Sequence, residues 1–318
     1  MRILQIQSPG HAPVIEVPDP VAGAGEVIVR VEAVASCPHW DITMMAGRDI
    51  FDRPGFPRYP ILPGQPGHEM TGVVQSVGAG VTAFKPGDAV VAWRTMGEDK
   101  PGYYADRACV PVPDLLPRPA NLSPADAAGF EMAMCVAIPF LALPELTGER
   151  VSVGGLGPAG MIAVQMARAA GASRVIGFDL NPERCTFART LGADDAFDPR
   201  SDEGQRFVGR REVDYAIDCS GSAASVQFQL DIVTKGLALF GVPHEAYRFE
   251  PRHFGLTLYG YRGHTIEAAS YAMHRVKSGA LRLAPLNTVE LPLSRFAEGT
   301  ALLAGQKALK ILYRPEDH

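Results

Sequence analysis

The chain has 318 residues, a net charge of −5, 47% hydrophobic and 20% charged residues. That length holds one large domain or two ordinary ones, and the apolar fraction suffices for a core, which excludes a disordered chain. The mildly acidic balance leaves no electrostatic footprint for nucleic acid. The longest apolar runs, taken as ones such as 151–153 and 175–178, fall far short of the roughly 18–20 residues of a membrane helix. The start, MRILQIQSPG, lacks the basic-then-apolar order of a signal peptide. Cys37, Cys109, Cys135, Cys185 and Cys219 are scattered, with no CxxC pair. That points to reduced thiols in a cytoplasm and away from a four-cysteine zinc site.

In chain order, residues 1–120 read as β-rich. Residues 26–34 (EVIVRVEAV) alternate with period two, and 72–77 and 89–93 are strand-like. Gly and Pro clusters between them suit turns of a barrel-like fold. Near Asn121 the character changes, and Ser123-Pro124 reads as a helix N-cap with proline at the first helical position. From Arg150, strands over 150–153, 174–178, 213–218 and 237–241 alternate with helices over 159–170, 182–191 and 223–233. That order predicts a parallel sheet with helices on both faces. Residues 249–263, rich in aromatics, read as an alternating strand. A long amphipathic helix (266–278) and a last strand (309–313) follow.

The first βα turn reads Gly155-Leu156-Gly157-Pro158-Ala159-Gly160. A lone GxGxxG is weak, but this one follows a strand and opens a helix. Gly155 permits the tight turn, Gly157 leaves room for a pyrophosphate, and Gly160 lets the helix approach the strand. The helix N-terminus offers N–H groups to the phosphates. Asp179 ends the next strand, where a carboxylate binds ribose hydroxyls and repels a 2′-phosphate, favouring NAD over NADP. Arg184 could flank the ribose or hold that phosphate.

Cys37 (in SCPHWD), His68 (in PGHEM) and Glu131 are ligand types that zinc takes at a three-ligand catalytic site. Each also has an ordinary reading: a small buried hydrophobe, a turn histidine, a helix-start acid.

Taken together, the chain resembles the zinc-dependent medium-chain alcohol and polyol dehydrogenases. The resemblance rests on Gly67-His68-Glu69, VxxVGxGV at 74–81, KPGD at 85–88, GGLGPAG, DLNPER at 179–184, DCSG at 218–221 and GQKALKILY. It implies a GroES-like β-barrel catalytic domain (1–131 and 266–318) plus a doubly wound Rossmann NAD-binding domain (132–265), an α/β protein. It implies one catalytic zinc on Cys37, His68 and Glu131, with Glu69 a carboxylate that can approach the metal. It puts Cys219 and Lys310 near the cofactor, Lys310 at the pyrophosphate. Two features depart from the pattern. Asp41 lies four positions after Cys37, one more than usual, so His39 is an alternative ligand or, like Thr43, a candidate proton relay. Only 13 residues separate Asp88 from Gly102, too few for the four-cysteine lobe that holds structural zinc, so no structural zinc is expected.

The resemblance implies a small alcohol or carbonyl substrate, expected in a cleft between the two halves. Trp40, Met44, Met45, Trp93 and Phe130 suggest apolar walls, whereas Asp49, Arg53 and Arg94 suit a polyol or an acid. The resemblance also implies a homodimer, or a tetramer, with neither nucleic acid nor membrane as partner. The rival readings are a zinc-free NADPH-dependent quinone or enoyl reductase and a dinucleotide-binding protein without turnover.

Overall fold

The computed structural model describes residues 1–94, 97, 99–243 and 245–315. A short pair, β1 (Arg2–Leu4) and β2 (Val14–Glu16), precedes the long strand β3 (Glu26–Ala35) and helix α1 (Pro38–Met45). Then come β4 (Glu69–Val77), β5 (Ala89–Ala92), β6 (Arg107–Pro111) and β7 (Leu115–Pro117). Helices α2 (Pro124–Ala127) and α3 (Phe130–Ala142) lead to β8 (Arg150–Gly154), α4 (Pro158–Ala169), β9 (Arg174–Phe178), α5 (Pro182–Thr190) and β10 (Asp195–Phe197). The alternation continues through α6 (Asp202–Gln205), β11 (Val213–Asp218), α7 (Ala223–Ile232), β12 (Val233–Leu239) and β13 (Thr257–Gly260). Helix α8 (Ile266–Lys277), β14 (Asn287–Pro292), α9 (Phe296–Ala304) and β15 (Lys310–Arg314) complete it. The chain folds as two compact units, Met1–Met132 with Leu283–His318, and Ala133–Arg282.

The first unit is built on a seven-stranded sheet, β14-β15-β3-β4-β5-β7, with β6 also on β3. Strand β3 runs antiparallel to β4, β6 and β15. Its Val27, Ile28, Val29, Val31, Ala33, Val34 and Ala35 are buried and only Arg30 is exposed, so the expected half-buried alternation gives way to a strand covered on both faces over most of its length. Those valines pack with Met70, Val90, Tyr104, Phe296 and Tyr313. Ser123 closes a reciprocal capping box with Asp126 at the start of α2. The stretch Pro124–Ala142 is apolar and long enough to cross a bilayer, and 72% of it is buried in the protein, as a core helix is. Counting unbroken apolar runs misses it because Asp126 and Glu131 interrupt the run.

The second unit is a six-stranded sheet in the order β10-β9-β8-β11-β12-β13, parallel throughout. The order reverses between β8 and β11, so a crevice opens outside the carboxyl ends of those two strands. The strand expected over 249–263 shrinks to Thr257–Gly260, with a 3₁₀ turn at Pro251–His253. Pro251 brings no N–H to a ladder and Gly255 sits at φ +91, so the extended run breaks there.

Candidate active site

Strand register assembles the first cluster. Ala35 pairs with Glu69 across β3 and β4, so the residues just beyond β3 and just before β4 leave the sheet at the same end. Cys37 is there as the N-cap residue of α1, with Pro38 fixing the first turn. The Cys37 thiol, a His68 ring nitrogen and a Glu69 carboxylate oxygen all lie within 4.8 Å of one another. Glu131, in the first turn of α3, brings Oε2 to 3.7 Å from His68 Nε2. His68 Nδ1 lies 2.7 Å from the Pro66 carbonyl oxygen. A carbonyl only accepts, so Nδ1 carries the proton, and Nε2 of the neutral ring keeps a free lone pair. Burial opposes charge on this imidazole, but Cys37, Glu131 and Glu69 outweigh it and push His68 well above its usual range. Such a group of sulfur and oxygen donors around one imidazole suits a cation. One thiol, one imidazole nitrogen and carboxylate oxygens form a set that zinc takes.

Behind the cluster, Lys310 Nζ donates to both oxygens of Glu69, at 2.7 and 2.8 Å, with both side chains buried. Burial pushes the Glu69 carboxyl up, against the pull of Lys310 and His68. Tyr104 donates its hydroxyl to Asp41 Oδ2 at 2.8 Å. Both residues are fully buried, and Asp41 Oδ1 has no hydrogen-bond partner among the described residues. Desolvation raises the Asp41 carboxyl to about 7 even though Tyr104, His68 and Lys310 favour its charge. Sequence reasoning misses both pairs. The only visible signal is a polar residue, Asp41, inside an otherwise apolar turn.

The remaining expected residues scatter. His39 is exposed on α1 and Thr43 is buried on it. Lys310, expected at a pyrophosphate, has its ammonium on Glu69. Trp40 meets the His68 ring edge-on, at 6.4 Å between centroids. Met44, Met45, Trp93 and Phe130 are buried as core. The shortened stretch between Asp88 and Gly102 includes Thr95, Met96 and Glu98, which lie outside the described residues.

The second cluster lies at the β8–β11 crevice. Gly155 adopts φ +80, and a Cβ on Gly160 would fall 1.9 Å from the Gly155 carbonyl oxygen; only glycine allows α4 this close to the turn. A Cβ on Gly157 would meet nothing within 4 Å among the described residues. Gly157 is the N-cap and Pro158 the first residue of α4, with no side chain capping the helix. The Leu156 N–H donates to Asp179 Oδ2 at 2.7 Å, and the Asn181 N–H to Oδ1 at 2.8 Å. Arg184 stands 3.9 Å from the same carboxylate. Cys219 follows β11 and donates its N–H to the Gly154 carbonyl, tying the two strand ends together. Burial pushes its thiol well up. Asp218 beside it accepts from Ser220, Ser225 and the Gly221 N–H, a network that the DCSG segment hints at through its hydroxyl.

Comparison with known proteins agrees with this two-part layout. The family model "alcohol dehydrogenase GroES-like domain" matches residues 23–120, and "zinc-binding dehydrogenase" matches 158–278. An L-threonine 3-dehydrogenase of Bacillus velezensis is 26% identical, covering 94% of each chain. A putative zinc-binding dehydrogenase of Sinorhizobium meliloti, solved with NADP, superposes with a TM-score of 0.87 at 23% identity over 99% of both chains. Galactitol-1-phosphate dehydrogenase of Escherichia coli gives 0.86 at 22%, covering 99% of this chain and all of its own. At such identities the two structures speak for the fold. The two matched domain models, which together cover most of the chain, and the curated relatives place it in the zinc-dependent medium-chain dehydrogenase family of oxidoreductases.

Proposed function

We propose that the protein interconverts an alcohol or polyol and its carbonyl compound, with a nicotinamide dinucleotide as hydride carrier and one zinc ion on Cys37, His68 and Glu131. The observation that carries this reading is the convergence of Cys37, His68 and Glu69 within 4.8 Å at one end of the β3–β4 pair. Zinc bound there supplies Lewis-acid polarisation of the substrate oxygen, and the dinucleotide takes or gives the hydride. The chain's own residues do the rest. Pro66 holds the His68 tautomer that leaves Nε2 available as a ligand, and Lys310 favours the charged form of Glu69 and aims it. Thr43 and His39 on α1 are the candidates to pass the hydroxyl proton to water. A zinc-free reductase has no use for this convergence of donors.

Gly155, Leu156, Gly157, Pro158, Ala159 and Gly160 would cradle the pyrophosphate, with Cys219 and Arg184 at the edges of the same crevice. Asp179 favours NAD: its carboxylate is already fixed by two backbone N–H groups and would repel a 2′-phosphate. The Sinorhizobium protein was solved with NADP, so the preference needs its own measurement. Tighter binding of NADPH than of NADH would overturn it. Strand β13 is an edge of its sheet, with Phe254, Leu258 and Tyr261 exposed around it, which supports a homodimer. A monomer mass in solution would count against that. All five cysteines are free thiols, which supports a cytoplasmic location.

Metal analysis tests the centre. Wild-type protein should hold about one zinc per chain, the open-site stoichiometry of this ligand type, and His68→Ala and Cys37→Ser should each lose most of it. Protein purified without chelators and still free of zinc would sink the reading. Retention by Cys37→Ser alone would move the ligand to His39.

A further inference from the structure

We infer that the reactive centre takes an alcohol carrying an aromatic ring in preference to a polyol, and that Phe51 is a specificity-determining contact for that ring. This rests on the function proposed above. The side chains that suit hydroxyl or acid recognition are spent inside their own unit. Asp49 is buried and accepts from the Phe51 and Arg53 N–H groups at 3.1 and 2.9 Å, and from the Arg53 guanidinium at 2.9 and 2.6 Å. Arg53, so held, lays its guanidinium over the rings of Phe51 and Phe56, at 5.6 and 4.6 Å. Arg94 gives its Nε to the buried Asp114 at 2.6 Å and stacks on Trp93. A polyol hydroxyl bound against these groups would have to displace an ion pair.

What the same segment offers instead is a line of rings. Trp40 meets His68 edge-on, and Phe51 meets Trp40 edge-on at 5.8 Å and 79°. Phe51 is 54% exposed, so the line runs from the surface to a proposed metal ligand. The Asp49–Arg53 pair fixes its outer end. A substrate ring can add one more edge-to-face contact to this line while its hydroxyl reaches toward His68. A hexitol of similar length has no counterpart for those ring faces.

The test uses the full zinc-loaded protein with its preferred dinucleotide, following reduced nicotinamide with benzyl alcohol, sorbitol and ethanol, for wild type and Phe51→Ala. Phe51 is exposed, so the variant should fold, and its zinc content is measured alongside. Wild type should show a kcat/KM for benzyl alcohol at least about tenfold above that for sorbitol. Phe51→Ala should lower the benzyl alcohol value by about tenfold, the scale of one lost ring contact, and leave ethanol and zinc content unchanged. A preference for sorbitol, or an equal loss on benzyl alcohol and ethanol, overturns the inference while leaving the dehydrogenase reading intact. No nicotinamide reduction with any alcohol overturns that reading and this inference with it.

Discussion

Glu69 and Lys310 form a buried pair in which neither charge has water to fall back on. Removing the cation alone strands a carboxylate in the core. Lys310→Met should therefore cost about 3–5 kcal/mol, read as a drop in the urea midpoint. Adding Glu69→Gln to it should recover part of the loss. Tyr104→Phe deletes the donor to Asp41 Oδ2, while the other carboxylate oxygen has none among the described residues. It should cost about 1–3 kcal/mol by the same measurement. Cys37, His68 and Glu131 were legible in the sequence as residue types. Lys310 was legible only as a residue for a pyrophosphate and Tyr104 not at all, because strand β15 carries the one, and a loop outside any motif the other, to partners far away in the chain. Asp49 and Arg53 lie within four positions of each other, yet the sequence left open whether they face a substrate or each other. That choice depends on the loop conformation, where Asp52 sits at φ +52.

At the scale of elements, the turn between β8 and α4 is tightly constrained. Gly160→Ala would drive a methyl into the Gly155 carbonyl, so α4 must withdraw. Binding of NADH, followed by its fluorescence, should weaken by more than about tenfold, since a misplacement on the order of 1 Å can cost a hundredfold. Strands β8 and β11 are also joined by Arg150, whose guanidinium holds Asp214 at 2.9 and 3.0 Å. The hydrogen bonds from Arg150 outweigh burial and lower the Asp214 carboxyl to about 2. A carboxyl lowered in the folded state adds stability above its unfolded value of about 4, and that share disappears as pH falls toward 2. The difference in urea midpoint between wild type and Asp214→Asn should be constant above about pH 5 and shrink through that window. A difference that grows on acidification would contradict the pairing. The βα alternation from Arg150 onward was readable because hydrophobic strands and capped helices carry local signals. The 249–263 segment misled because its aromatic alternation outlasts the backbone's ability to stay extended at Pro251 and Gly255.

At the scale of the whole molecule, two stretches far apart in the chain make one unit, with a contiguous unit between them. The strand that returns, β15, pairs with both β14 and β3 and so carries Lys310 to Glu69. A sequence reading placed a final strand near 309–313. It had no way to see that this strand supplies the counter-charge for a carboxylate 241 positions earlier. Long-range register is invisible to local pattern, whereas the glycine turn and the ligand types are local and were seen.

That separation sets an order of events on the ribosome. Translation delivers Glu69 early, then all of Ala133–Arg282, and only afterwards Lys310. While the intervening unit emerges and closes its own local contacts, the carboxylate waits for a cation not yet synthesised. The part of the protein begun first is thus the part finished last.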